Sequence, residues 1–159
     1  MIGHNFLNAL RKIHNRLQDR QLNWAVTGSL GMALQGMTIE VHDIDLQTDR
    51  QSAYTIEKLF TNSVVVPVYF RESERIRSHY GALEIDGIKV EIMGDLQKRL
   101  DDQTWKEPVK VEHWLRWVEI DSMRIPVLSL EYEYQAYLHL GRTQKAQMLK
   151  NWLDRTGGH

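Results

Sequence analysis

The sequence predicts an α+β domain: a small mixed β-sheet with helices packed on one side, extended toward the C-terminus by a hairpin and two further helices. Three observations carry that expectation. Apolar residues recur at helical spacing near both ends of the chain, short β-rich runs bounded by turn residues fill the middle, and two of those runs flank Asp86-Gly87, the strongest hairpin signal present.

Taken in order, Ile2, Phe6, Leu7, Leu10, Ile13 and Leu17 mark one face of a helix over residues 3–20. Residues 23–27 form a short apolar strand that ends at Gly28-Ser29, after which a second helix is expected from Leu30 to Gln35, stopped by Gly36. Residues 41–48 alternate, with Ile44 and Leu46 on one face and Asp43, Asp45 and Gln47 on the other. A helix over 51–61 returns the chain to a strand over 64–70, where Pro67 argues for an edge or a bulge. The charge run 71–77 then reads as a solvated face, and His79 and Tyr80 as loop residues, with the lining of an acceptor pocket as the alternative.

Residues 82–85 and 88–92 form the Asp-Gly hairpin, and 114–120 with 123–128 a further hairpin about Asp121-Ser122, in which Pro126 again argues for an edge. Ser129 caps a helix over 130–140 without a complete capping box, a second helix over 143–154 follows the break at Gly141, and residues 157–159 are expected to fray. Trp105, Trp114 and Trp117 are expected in core and interface packing rather than stacked on a base.

Composition bounds the function. The 159 residues, 42% hydrophobic, can close one sizeable core or one core with a small appendage. Lys and Arg total 20 against 21 Asp and Glu, a formal net charge of -1, so no global field draws in nucleic acid. The absence of Cys removes disulfides, thiolate metal sites and thiol catalysis, and makes the reducing cytoplasm the default compartment. No apolar run approaches the roughly 18 residues of a membrane span, and no export segment is evident, so a soluble, unprocessed protein is expected. No His-Glu-x-x-His, P-loop or dinucleotide fingerprint is present.

The chemistry-bearing residues are Asp43 and Asp45, two apart on a strand and therefore on one face, and Glu91, which shares a hairpin face with Lys89 and Met93. Each has a plain explanation by itself, as solvent-facing acids are common and Gly28-Ser29 is also an ordinary turn with a capping serine. Three carboxylates brought together without a basic cluster repel one another and normally hold cations, and oxygen-only ligands select a hard ion such as Mg²⁺. A turn from strand to helix at Gly28-Ser29 offers backbone N–H groups and a hydroxyl to phosphate oxygens.

In their order, Val26-Thr27-Gly28-Ser29, His42-Asp43-Ile44-Asp45-Leu46 and Val90-Glu91-Ile92 resemble the motifs of the DNA polymerase beta-like nucleotidyltransferase superfamily, specifically its minimal and antibiotic-modifying (lincosamide- or aminoglycoside-type) members. The segment Ile125-Pro126-Val127-Leu128-Ser129-Leu130-Glu131, with Gly141-Arg142 and Lys145, resembles the strand, helix and basic turn that close small members, so the resemblance covers residues 5–150. It implies a nucleotidyltransferase catalytic core over 1–100, with residues 101–159 as an extension packed on the same unit. It further implies that Asp43, Asp45 and Glu91 bind two Mg²⁺ ions, that Asp45 and Glu91 are catalytic, Glu91 either completing the metal site or accepting the attacking hydroxyl's proton, and that Gly28 and Ser29 hold the triphosphate. The implied reaction moves a nucleoside monophosphate from ATP or another NTP to a hydroxyl of a small molecule or protein and releases pyrophosphate. A homodimer is compatible with the resemblance, and a polynucleotide acceptor fits least.

Two departures stand out. Many relatives carry Arg and Thr shortly before the Asp pair, where this chain has Thr38-Ile39-Glu40-Val41-His42, and Ala146 rather than Asp follows Lys145. Arg71, Arg75, Arg77 and Lys89 are candidates to replace the missing phosphate contact. The alternative function is a binding module or toxin–antitoxin component that keeps the fold and acts through a protein partner; the missing Arg favours it and the intact acids disfavour it.

Overall fold

The structure is a computed structural model that describes residues 2–157. Helix α1 (His4–Leu17) buries Ala9, Leu10, Ile13 and Leu17, the stripe that its spacing requires. Strand β1 (Trp24–Thr27) is buried throughout, and α2 (Gly28–Leu34) starts directly from it, two residues earlier than expected, which puts Gly28 and Ser29 inside the first helical turn. Strand β2 (Ile44–Thr48) leads into α3 (Arg50–Leu59), which is capped by the Asp49 carboxylate accepting the Ser52 N–H at 2.7 Å. Asp43 lies just before β2 rather than in it.

The chain continues through β3 (Val64–Glu72), β4 (Ile76–Ile85), β5 (Ile88–Lys98), β6 (Leu115–Ile120) and β7 (Met123–Leu128) to α4 (Leu130–His139) and α5 (Thr143–Thr156). Ser129 caps α4 by accepting the Tyr132 N–H at 3.2 Å, and Gly141, with φ 73°, separates the last two helices. Gly157 closes α5 in the left-handed conformation; Gly158 and His159 lie outside the described residues.

The seven strands form one mixed sheet in the order β3-β4-β5-β2-β1-β7-β6, with β2–β5 and β1–β7 parallel and the other neighbours antiparallel. Both expected hairpins are present, and their turn residues Asp86, Gly87, Asp121 and Ser122 all have positive φ, the conformation that a two-residue turn between twisted strands needs. Pro67 lies on the edge strand β3, beside register shifts. Pro126 does not lie on an edge: β7 sits between β1 and β6. Its pairing with β1 is confined to Val26 and Val127, so few ladder bonds on that side depend on a strand that carries a proline.

Residues 71–75 are exposed, as a solvated charge run requires, but they are not a free loop. β3 runs through Arg71 and Glu72, and β4 begins at Ile76, so these residues form a hairpin whose turn is held by Ser73 N–H donating to the Ile76 carbonyl at 2.8 Å. His79 and Tyr80 are therefore strand residues, not loop residues.

The main core lies on one sheet face, where Val26, Ile44, Leu46, Val90, Ile92, Ile125 and Val127 pack under Leu10, Ile13, Ala53 and Ile56 of α1 and α3. On the alternate face, Ala25, Leu128 and Tyr132 bring α4 against the sheet. Trp114 and Trp117 lie outside the core, 40% and 49% exposed, although Trp114 packs its ring centroid 5.5 Å from that of Tyr132. Trp105 has the guanidinium carbons of Arg77 and Arg99 4.4 and 5.2 Å from its ring centroid. Among the described residues no helix is long and apolar enough to cross a membrane.

Candidate active site

Register places the acids. β1 pairs with β2 so that Thr27 stands opposite Asp45, and β2 pairs with β5 so that Asp45 stands beside Glu91. Neighbours across a ladder point to the same face, so Thr27, Asp45 and Glu91 form a row on the side away from Val26, Ile44, Leu46, Val90 and Ile92. Glu91 is thus on the same side of the sheet as Asp45.

Gly28 closes one end of that row. Its φ of 68° is a left-handed conformation, and a Cβ built there would overlap Asp45 Oδ2, so only glycine lets the turn lie directly against this carboxylate. Burial, then the charges of Glu91 and Asp43, push Asp45 up to about 7, with Lys89 and Lys145 opposing. Asp43 thus acts electrostatically on Asp45 from just outside the strand.

The acids do have basic partners, contrary to the sequence expectation. Lys89 Nζ lies 3.1 Å from Glu91 Oε1, a pair legible as i and i+2 on one strand face, and Lys145 sits with its Nζ 5.3 Å from the Tyr137 ring centroid. With Glu91 turned to Lys89, no three His, Asp or Glu among the described residues are gathered as a ready metal-binding group. Ser29 is buried, and its Oγ accepts the His42 N–H at 3.1 Å, fastening the loop that enters the Asp-x-Asp strand while its own proton stays available. The His42 side chain is exposed.

Sequence reasoning missed Glu133. This α4 carboxylate, 3% exposed, accepts from Thr27 Oγ1 and, at 3.2 Å, from the Gly28 N–H. Burial pushes it up to about 7; the two hydrogen bonds oppose that rise and the charge of Asp45 adds to it. The available signal was spacing, because Leu130, Glu133 and Tyr137 fall on one helical stripe and all are buried. Beside it, Tyr132 Oη donates to Gln47 Oε1 of β2 at 3.2 Å, so α4 is hydrogen-bonded to two of the three strands that carry the site, β1 and β2.

A cavity of about 160 Å³ is lined by Thr27, Gly28, Asp45, Glu133, Tyr137 and Arg142. A second, of about 280 Å³, is lined by Arg71, Ser73, Arg77, Tyr80, Glu91 and Arg142. Ile76, Met93 and Arg142 line both, which makes them one cleft. Arg75 ties the β3–β4 turn to α4 across it, through Nη1 to the His139 carbonyl at 3.0 Å. A wider depression of about 710 Å³ beside Met148, Asn151 and Arg155 contains none of these groups.

Residues 9–150 match the family model of the aminoglycoside-2''-adenylyltransferases. The chain belongs to that family. This adenylyltransferase-family member is a nucleotidyltransferase, and it is 57% identical to a "putative nucleotidyltransferase" from Thermotoga maritima, with a TM-score of 0.87 over 98% of this chain and 96% of that one. Two more distant structures share the fold. One is the lincosamide antibiotic adenylyltransferase LnuA bound to lincomycin, 18% identical, TM-score 0.54, over 79% of this chain and 81% of that one. The other is ANT(2'')-Ia in complex with adenylyl-2''-tobramycin, 13% identical, TM-score 0.61, over 93% and 89%. Among curated proteins none is significantly similar in sequence.

Proposed function

We propose that this nucleotidyltransferase moves AMP from Mg²⁺-bound ATP to a hydroxyl of a small molecule and releases pyrophosphate. The observation that carries the reading is the single row of Thr27, Asp45 and Glu91 across three adjacent strands, with the Gly28 turn pressed against Asp45.

The donor set suits the ion. Asp43, Asp45 and Glu91 offer only oxygen, as Mg²⁺ prefers, and a cation would offset both the burial that chiefly raises Asp45 and the repulsion from Glu91 and Asp43 that adds to it. Asp43 and Asp45 would hold the ion, with Glu91 as third ligand or as proton acceptor. When bound, Mg²⁺ neutralises phosphate charge and makes the α-phosphorus more open to attack.

The chain's own groups do the rest. Gly28 and Ser29, in the first turn of α2, hold the triphosphate: the Gly28 N–H is engaged by Glu133, so Gly28 serves by letting a phosphate oxygen approach closely, and the Ser29 hydroxyl proton supplies the hydrogen bond. Lys145, near enough to Asp45 to lower its pKa, adds positive charge where the leaving pyrophosphate gathers negative charge. Glu91 accepts the proton of the attacking hydroxyl. Glu133 holds Thr27 and the Gly28 amide and so keeps the turn in place beneath Asp45. Catalysis on this scheme is positioning and charge neutralisation.

The test is pyrophosphate release from Mg²⁺-ATP in the presence of hydroxyl acceptors. Asp45→Asn is expected to lower it by at least about a hundredfold; release that persists in the variant removes Asp45 from the mechanism.

A further inference from the structure

The position of Glu91 divides the cleft. An in-line displacement puts the attacking hydroxyl opposite the departing pyrophosphate. With the triphosphate at the Gly28 turn on the β1 side of Asp45, the attacking hydroxyl enters from the β5 side, where Glu91 stands. The cavity there is the one of about 280 Å³. Resting on the proposed AMP transfer, this assigns that cavity to the acceptor.

Its lining is basic. Arg71, Arg77 and Arg142 face it, against the single acid Glu91, whose charge is already matched by Lys89 at 3.1 Å. Arg77 is engaged by Glu72 at 3.3 Å and by Gln97 Oε1 at 2.9 Å. Among the described residues, Arg71 and Arg142 have no carboxylate within ion-pairing distance; their guanidinium carbons lie 4.4 and 5.9 Å from the ring centroids of Tyr80 and Tyr137. A polycationic acceptor such as an aminoglycoside would meet like charge there, whereas a phosphate or carboxylate would find guanidinium groups shaped to receive it. The volume, about 280 Å³, lies just below the roughly 300 Å³ at which pockets for drug-sized ligands begin, which favours a small acceptor.

We propose that the acceptor is a small hydroxyl compound carrying an anionic group, with the anion held by Arg71 and Arg142 in the cavity that Glu91 shares, so that its hydroxyl faces Glu91. The reaction joins the acceptor oxygen to the α-phosphorus of ATP, breaks the α–β phosphoanhydride bond, passes the hydroxyl proton to Glu91 and releases pyrophosphate. No redox partner is required.

The experiment compares pyrophosphate release from Mg²⁺-ATP with glycerol, glycerol 3-phosphate, glycerate and tobramycin as acceptors, in the wild type and in Arg71→Gln. The expected result is a kcat/KM at least about tenfold higher for one of the two anionic compounds than for glycerol, no use of tobramycin, and a ratio that falls toward one in the variant. Which anion is preferred separates a phosphate site from a carboxylate site. Equal or better use of glycerol or tobramycin leaves AMP transfer standing and overturns the anionic acceptor. An intact preference in Arg71→Gln together with a raised KM for ATP assigns the arginine to the triphosphate and likewise overturns it. If none of the four supports release, the anionic acceptor is overturned, while AMP transfer is judged separately by Asp45-dependent pyrophosphate release with other hydroxyl compounds.

Discussion

Glu133 of α4 accepts the Gly28 N–H at 3.2 Å, while Asp45 of β2 closes on Gly28 so tightly that no side chain fits there. The turn that starts α2 is therefore held between a carboxylate of α4 and a carboxylate of the sheet. Burial is the main cause in each: both are pushed up to about 7, Asp45 further by the charges of Glu91 and Asp43 and Glu133 further by that of Asp45. The site is electrostatically loaded before any ligand arrives, and several consequences can be measured.

Stability is expected to fall as the pH rises from about 4.5 to about 7 and then to level off. Glu133 has a folded-state pKa of about 7 against a reference of 4.5, so the folded protein holds the proton more tightly than the unfolded chain. Its contribution is complete below about 4.5 and is lost as the pH rises through about 7, a change of order 3 kcal/mol for a group this buried. Glu133→Gln keeps a hydrogen-bond acceptor for the Gly28 amide and removes the titration. Its urea-unfolding free energy should vary less than the wild type's between pH 5 and pH 8, and an unchanged pH dependence would exclude Glu133 as the source.

Gly28 and Gly87 both have positive φ, 68° and 78°, but differ in surroundings: a Cβ at Gly28 meets the Asp45 carboxylate, and one at Gly87 meets nothing within 4 Å. Alanine at 87 should therefore cost only backbone strain, about 1 kcal/mol, and leave pyrophosphate release intact. Alanine at 28 should cost more, about 1–3 kcal/mol, and abolish release by displacing Asp45. Equal effects of the two substitutions would show that the Asp45 contact has no part in activity.

Mg²⁺ should raise the melting temperature, because an ion that binds the folded carboxylates stabilises by mass action. The pH dependence has a definite sign: Asp45, raised to about 7, is increasingly protonated below that pH, so the shift should be larger at pH 8 than at pH 6. Asp45→Asn should reduce the shift at pH 8 to that produced by NaCl of equal ionic strength. A full shift in that variant places the ion elsewhere.

Much of this arrangement is legible in the sequence, for identifiable reasons. Strict alternation about Ile44 and Leu46 and about Val90 and Ile92 puts Asp45 and Glu91 on their faces, and a hairpin at Asp86-Gly87 follows from turn chemistry alone. The β3–β4 hairpin was hidden because its distal end carries Arg71, Glu72 and Arg75 with no buried alternation, so nothing in that stretch separates a strand from a loop. Pro126 points to an edge because proline removes a ladder donor, whereas β7 is interior with a ladder to β1 one register pair long. Glu133 stayed hidden for a different reason. Its helical stripe is readable, but its partner is the Gly28 amide, 105 residues away, and only the tertiary fold brings the two together.

The most direct measurement is the identity of the bond broken in ATP, followed by ³¹P NMR with Mg²⁺ and an accepting hydroxyl compound. AMP transfer predicts pyrophosphate and a new phosphodiester resonance in equal amounts, both lost in Asp45→Asn. Accumulation of ADP and inorganic phosphate instead, or pyrophosphate formation indifferent to Asp45, would contradict a site built on Asp45, Glu91 and the Gly28 turn.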